Sequence, residues 1–158
     1  MQGLVTLNDV NGRTGGFCVI PGSHMHHEEL LTVAANRSKN YVSVPPDSPL
    51  LKHRQVMPVC QAGDLLLWDS RTSHCNSPAM ETPTASPDQL LRMVGYVCMT
   101  PRSLADERTI AARVKIYERG MSTSHWPHLF PFDVDDSSPR ERNIEDAPLE
   151  QRALVGVI

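Results

Sequence analysis

One stretch, AGDLLLWDSRTSHCNSP at residues 62–78, constrains the fold of this chain most strongly. Ala62-Gly63-Asp64 has the composition of a turn, and Leu65 to Trp68 form a short apolar run typical of a buried strand. Polar residues follow and end at His74. Since functional side chains often sit on loops held by a rigid scaffold, the pattern predicts a histidine presented at the end of a β-strand.

A second strand is predicted from the alternating run RMVGYVCM, which begins at Arg92. Side chains two residues apart share one face of a strand, so an inward Arg92 implies inward Val94, Tyr96 and Cys98. A guanidinium at the head of an apolar face needs an anion, and its planar fork suits a carboxylate. The alternative is an arginine at a strand end whose charged head reaches water.

These segments, together with GGFCVIPGSH at residues 15–24, resemble the C-terminal half of the phytanoyl-CoA dioxygenase family of iron(II)- and 2-oxoglutarate-dependent oxygenases. The resemblance covers roughly the first hundred residues. It implies a mainly β chain, a partial double-stranded β-helix of the jelly-roll or cupin-like type with a C-terminal helix and an irregular tail. It also implies that His74 binds the metal and that Arg92 holds the far carboxylate of 2-oxoglutarate. Asn76 is a candidate to hydrogen-bond the oxoacid, although an ordinary turn is the preferred interpretation of this residue.

The resemblance implies a further His-x-Asp pair upstream of the strand expected at Gln2 to Val10, where this sequence begins. His26 and Glu28 have suitable chemical types, but their position predicts a solvated helix N-terminus. The hypothesis is therefore a dioxygenase that hydroxylates a small, apolar or lipid-like metabolite, in a chain lacking two ligands. The alternative is a non-catalytic truncated fragment or binding module of the same fold.

Other candidate residues have ordinary structural interpretations beside their functional ones. Arg71 and Trp68 are candidates to line a substrate entrance, while Trp68 within LLLW also suits the core. Asp69, like Asp9, is expected to form a turn. Further residues offer only weak signals: His125 and His128 lack a supporting ligand, and Cys75 lacks the partners of a cysteine protease.

Charge and cysteine usage exclude several classes of function. The net charge is −3 with no basic block, which argues against a nucleic-acid partner. Four cysteines without paired spacing indicate reduced thiols rather than a disulfide or zinc framework. No apolar stretch is long enough to span a membrane, so a soluble, intracellular and cytoplasmic protein is expected, with an upstream targeting signal left open.

The chain is expected to divide into an oxygenase-type domain with its covering helix at residues 1–132 and a polar linker with a short terminal helix at residues 133–158. The covering helix is predicted from a capping box at Ser103 and Asp106, ending at Gly120. Val56 to Cys60 is predicted to be an edge strand because Pro58 interrupts it. An exposed edge at Gln2 to Val10 predicts self-association. The other expected segments are a strand at Phe17 to Ile20 after an Asn-Gly turn, a helix capped by Ser23, a brief strand at Tyr41 to Val44, and a terminal helix that begins near Asp146 with Pro148 in its first turn.

Overall fold

The structure, a computed structural model, describes residues 1–34, 41–81, 90–121, 125–129 and 142–158. These residues form two compact units, Met1–Val97 and Cys98–Ile158. The strands are β1 (Gln2–Thr6), β2 (Gly16–Val19), β3 (Leu65–Trp68), β4 (His74–Ser77) and β5 (Val94–Cys98), and the α-helices are α1 (His27–Val33), α2 (Glu107–Glu118) and α3 (Leu149–Val155). The boundary expected between residues 132 and 133 lies outside the described residues.

The first sheet has the strand order β3-β1-β5, with β1 antiparallel to β3. Gln2 pairs with Trp68 and Leu4 with Leu66, so these four side chains share one face of the sheet. A Cβ on Gly3 would lie 2.6 Å from Leu67 Cδ2, and the missing side chain therefore permits this close pairing. The prediction that the first strand is an edge was wrong, because β1 has a neighbour on each side.

The second sheet pairs β2 with β4 in antiparallel register. The strands β1 and β2 are thus not a hairpin, although a turn at residues 11–15 joins them. The predicted strand from Val56 to Cys60 is reduced to two isolated bridges, Val19 with Val56 and Val10 with Cys60. Pro58 has no backbone N–H to donate, and a continuous ladder cannot form through it. The strand expected at Tyr41 to Val44 is also absent, with one bridge residue at Val42.

Helix α1 follows a turn of 3₁₀ helix over Ser23–His26. Ser23 does not cap this segment, contrary to prediction, since Gly22 is the N-cap and no side chain bonds there. The Ser23 hydroxyl is buried and donates to Ile20 O at 2.7 Å. Leu30 of α1 joins Ile20 and Leu50 in a buried apolar cluster, against which Val42 and Val44 pack. This cluster anchors the segment that leads out of β2.

The unit of residues 98–158 is built on α2 and α3. Asp106, not Ser103, caps α2, and its Oδ1 accepts a hydrogen bond from Thr109 N at 2.7 Å. Gly120 ends the helix in the left-handed conformation, as predicted. Arg113 donates to Leu154 O at 2.7 Å, which ties α2 to the last turn of α3. The predicted terminal helix is present, but it begins at Leu149 and not near Asp146, and Pro148 is its N-cap instead of lying in its first turn.

The five strands form antiparallel sheets, as expected for the β-rich class. A closed double-stranded β-helix stays a prediction, since the strands of the described residues make a three-stranded and a two-stranded sheet. In the described ranges no helix is long and apolar enough to cross a lipid bilayer.

Candidate functional site

His74 is the first residue of β4 and follows a tight turn over Asp69 to Thr72. Its Nδ1 lies 2.7 Å from Thr72 O. Because a carbonyl oxygen only accepts, Nδ1 carries the proton and Nε2 keeps its lone pair. A backbone carbonyl that fixes the tautomer in this way is the usual support of a metal-binding imidazole.

Two aromatic rings flank the His74 imidazole. Phe17 of β2 is buried, and its ring centroid lies 5.5 Å from that of His74 and 4.3 Å from that of Trp68. Trp68 of β3 lies 5.2 Å from His74 in an edge-on arrangement and donates from Nε1 to Gln2 Oε1 at 3.1 Å. The Trp68 ring therefore lies between the two sheets, beside the His74 imidazole.

Asn76 shares the His74 face of β4, two residues further along the strand. Its side-chain amide contacts the Tyr96 hydroxyl, with Nδ2 at 3.2 Å and Oδ1 at 3.3 Å from that oxygen. Tyr96 belongs to β5, so the contact joins a strand of the second sheet to a strand of the first. The amide is thus held by a phenol and not by a turn.

Arg92 lies two residues before β5, next to a backbone bond from Leu7 N to Met93 O of 2.9 Å. Its Nε and Nη2 atoms are buried, and neither has a hydrogen-bond partner among the residues that the structure describes. A buried cation without a partner is costly, since desolvation is not offset by hydrogen bonds. The strand predicted to begin at Arg92 begins at Val94. The inward position expected for Tyr96 was also wrong, since Tyr96 is 54% exposed, and its hydroxyl contacts the exposed amide of Asn76 on β4.

Arg71 and Asp69 form an exposed ion pair, with Nη2 of Arg71 2.6 Å from Oδ2 of Asp69. The hydrogen bonds from Arg71 hold the pKa of the Asp69 carboxyl well below its usual range. Asp69 Oδ1 also accepts from the Arg71 backbone N–H at 2.9 Å, which makes it a turn former as expected. Asp9 does not form the expected local turn through its side chain, because its Oδ1 accepts from the distant Ala62 N at 2.9 Å and so joins two separate segments of the chain.

The structure does not bring His26 and Glu28 to His74 as a metal site. His26 stacks on His53 with ring centroids 6.4 Å apart and lies 3.5 Å from Glu29. Within the described ranges no three His, Cys, Asp or Glu side chains are grouped to hold a metal ion. At the other end of the chain, His128 packs edge-on to Trp126 at 5.8 Å, and His125 is exposed.

The contributions of Gln2 and Phe17 to this site were not anticipated. Both lie on strands recognisable from composition, but their partners depend on which strands pair and in which register. The alternation of β2 predicts that Phe17 and Val19 share one face. That this face is the one that carries His74 and Asn76 follows only from the pairing of Phe17 with Asn76 and of Val19 with His74.

Comparison with known proteins identifies the parent family. A sequence profile described as phytanoyl-CoA dioxygenase (PhyH) matches residues 1–80, half of the chain. The chain belongs to the phytanoyl-CoA dioxygenase family. It is similar to Ava biosynthesis cluster protein O of Aspergillus versicolor, with 36% identity over 66 residues, or 42% of this chain and 19% of that protein. The chain thus spans less than a fifth of this curated relative, and no solved structure matches it.

The phytanoyl-CoA dioxygenase family has a jelly-roll fold. Its members generally depend on iron(II) and 2-oxoglutarate. Iron(II) of this class takes two histidines and one carboxylate. No three His, Cys, Asp or Glu side chains of the described residues are grouped to hold such an ion. The described residues therefore do not form an iron site by themselves. A dicarboxylate fits better, because Arg92 has two buried donors that lack an acceptor there.

Proposed function

We propose that this chain carries the metal-binding histidine and the cosubstrate-binding arginine of an iron(II)- and 2-oxoglutarate-dependent oxygenase. The observation that carries the proposal is the pair of buried Arg92 donors, Nε and Nη2, which have no hydrogen-bond partner among the described residues. Family membership supports the reaction class, and the free Nε2 of His74 supports the metal role. The remaining iron ligands are not part of the proposal, since no three His, Cys, Asp or Glu side chains of the described residues are grouped to hold a metal ion.

Each named side chain has one task in this proposal. Arg92 binds the far carboxylate of 2-oxoglutarate with its fork of N–H donors. His74 binds the metal through Nε2, and the Thr72 carbonyl together with the rings of Phe17 and Trp68 fixes the imidazole plane. Asn76 donates to the oxoacid once the bond to Tyr96 opens. Iron(II) and 2-oxoglutarate, when bound, supply the oxidising chemistry.

The substrate that we infer is a small, apolar or lipid-like metabolite. Trp68 is half-buried beside His74 and offers flat apolar surface to such a molecule. Arg71 supplies a charged group at the turn before His74, although Asp69 already neutralises it. The name of the fungal relative, a biosynthesis cluster protein, is compatible with a small molecule.

The role of Arg92 can be tested by binding, without turnover. Glutarate has the far carboxylate of 2-oxoglutarate but no keto group, so its affinity reports on the arginine end alone. We expect glutarate to bind the wild-type chain and Arg92→Ala to abolish binding. Arg92→Lys should weaken it by about 1.5 to 3 kcal/mol, roughly ten- to more than a hundredfold, because an ammonium replaces the bidentate fork. Isothermal titration calorimetry measures these affinities.

A matched control is Arg13→Ala, which removes an exposed arginine that pairs with Glu81 at 3.5 Å. This change should leave glutarate affinity unaltered. Circular dichroism of each variant checks that the fold is retained. Equal glutarate affinity in the wild type and in Arg92→Ala would place the anion site elsewhere and refute the proposed role.

A further inference from the structure

Cys18 of β2 and Cys75 of β4 lie directly opposite each other in the antiparallel register. Val19 exchanges both of its backbone hydrogen bonds with Val56, at 2.9 Å each, so its pairing with His74 is of the non-hydrogen-bonded kind. Since the two kinds alternate along an antiparallel ladder, Cys18 and Cys75 are a hydrogen-bonded pair. The Cα atoms of such a pair are about 5.5 Å apart, within the range that a disulfide bridges.

The register also fixes where the two thiols lie, because directly opposite residues of an antiparallel pair project to the same side of the ribbon. The Cys18 thiol lies 3.8 Å from the amide oxygen of Gln55. Both sulfurs therefore point to the same face of the β2–β4 ribbon, opposite to the face of His74 and Asn76.

The surroundings of this pair make it accessible to reagents. Cys75 is exposed and Cys18 is half-buried, whereas Cys60 is buried and lies with its sulfur 3.7 Å from Pro58 O. All four cysteines are free thiols in this structure. The pair is thus a preformed dithiol in a position where a small oxidant can reach it.

We propose that Cys18 and Cys75 are a redox-modification site, which small-molecule disulfides convert to a disulfide that bridges β2 and β4. The site is independent of the proposed oxygenase function, because neither iron nor 2-oxoglutarate takes part in the exchange. Its consequence is a covalent bond across the ribbon one residue from His74, which closes the chain between residues 18 and 75 into a loop.

The proposed reaction is a thiol–disulfide exchange, and oxidised glutathione is a suitable oxidant for it. The thiolate of one cysteine attacks a glutathione sulfur, the S–S bond of glutathione breaks, and one glutathione thiolate leaves and takes up the proton released. The thiolate of the other cysteine then attacks the protein sulfur of the mixed disulfide and expels the second glutathione. Two protein thiols are oxidised, one oxidised glutathione is reduced to two molecules of glutathione, and both protons are retained in the products.

The test is incubation of the folded wild-type chain with oxidised glutathione, followed by thiol titration and non-reducing peptide mapping. Free thiols should fall from the four of the untreated chain to two, with loss of two hydrogen masses and a cross-linked peptide that contains Cys18 and Cys75. Reduced dithiothreitol should restore all four. The thermal unfolding midpoint of the oxidised chain should rise, because the disulfide restricts the unfolded chain.

Variants distinguish this pair from chance oxidation. The Cys60→Ser/Cys98→Ser double variant keeps the pair and should form the same cross-linked peptide. Cys18→Ser and Cys75→Ser should each stop at a mixed disulfide with glutathione on the remaining thiol. The proposal is overturned if the folded wild-type chain and the double variant both accumulate stable mixed disulfides at Cys18 or Cys75, or intermolecular dimers, without the intramolecular cross-link.

Discussion

Ser23 shows how a single hydroxyl supports the site. It is 2% exposed, donates to Ile20 O at 2.7 Å and accepts from Ser73 N at 2.8 Å. Ser73 directly precedes His74, and its own carbonyl accepts from Ile20 N at 3.0 Å. One buried side chain thus joins the end of β2 to the start of β4 and fixes the backbone from which the imidazole projects.

Replacing Ser23 with alanine should destabilise the fold by about 1 to 3 kcal/mol, since the Ser73 N–H loses its acceptor in a part-buried position. Urea unfolding followed by circular dichroism measures this change. Thr32→Ala is the matched control, because Thr32 also donates to the carbonyl three residues before it, Glu29 O at 2.7 Å, but is exposed. Equal effects of the two substitutions would show that burial of the Ser23 hydroxyl has no special importance.

Three residues of the candidate site were proposed from sequence, but Gln2, Phe17 and the contacts between residues were not. His74, Asn76 and Arg92 follow from a strand-exit histidine, the residue two positions later and an alternating strand with a charged head. The bonds from Trp68 to Gln2 and between Asn76 and Tyr96 join residues 66 and 20 positions apart. Such contacts depend on strand pairing and register, which local patterns of polarity do not specify. The same limit hid the Cys18 and Cys75 pair.

At the scale of elements, the cap of α2 is a carboxylate with a defined effect of pH. Two hydrogen bonds from Thr109 lower the pKa of Asp106 from its ordinary 3.8. The bond from the Thr109 side chain has the larger effect, and the bond from its backbone N–H has the smaller one. A group whose pKa is lower in the folded state stabilises the fold above its unfolded-state pKa. This contribution is lost as the pH falls through the folded-state pKa. The stabilisation by Asp106 should therefore be complete above about pH 4 and disappear below it.

We expect Asp106→Ala to destabilise α2 at neutral pH and to have little effect once the pH is well below the ordinary value of 3.8. Asp106→Asn should retain most of the helix, since asparagine is also a good N-cap. The stabilisation of α2 by the asparagine cap should not change with pH over this range, because asparagine does not titrate. Acid titration followed by far-ultraviolet circular dichroism compares both variants with the wild type. Glu150→Gln removes an exposed carboxylate from the first turn of α3 and serves as the control. A pH-independent difference between Asp106→Ala and the wild type would contradict the expectation.

Element boundaries were predicted best where one residue decides the local geometry. Gly120 ends α2, because a glycine in the left-handed conformation permits few alternatives. The capping box at Ser103 was wrong because Arg102–Leu104 first form a 3₁₀ turn, which moves the start of α2 to Asp106. Two residues near this start had the chemistry of a cap, and tertiary context selected between them.

At the scale of the whole molecule, β3 is one of the two edge strands of the first sheet, with β5 at the other edge. In the described part of the chain β3 pairs with β1 alone, and Leu65 and Leu67 on its outer face are 56% and 54% exposed. Apolar edge strands without charges readily pair with another copy of the same strand. Self-association, expected from sequence at Gln2 to Val10, is accordingly a prediction for β3.

We expect the purified chain to form dimers or larger oligomers in a concentration-dependent manner, and the Leu65→Lys/Leu67→Lys variant to shift the population towards monomer. The charges would oppose strand pairing between copies by desolvation and repulsion. Analytical ultracentrifugation over a range of concentrations measures the distribution. Leu104→Lys changes a leucine of the 3₁₀ turn before α2 that is 57% exposed, and it should leave the distribution of oligomers unaltered. A wild-type monomer at every concentration would disprove the expectation.

The packing of Trp68 against His74 has an optical consequence. Indole emission is sensitive to charged or paramagnetic groups close to the ring, and this ring centroid lies 5.2 Å from the imidazole. The chain has two tryptophans, and replacement of Trp126 with phenylalanine would leave Trp68 as the sole emitter. Quenching in that variant would report directly on what the His74 imidazole binds, so the protein contains its own fluorescent probe of the candidate metal ligand.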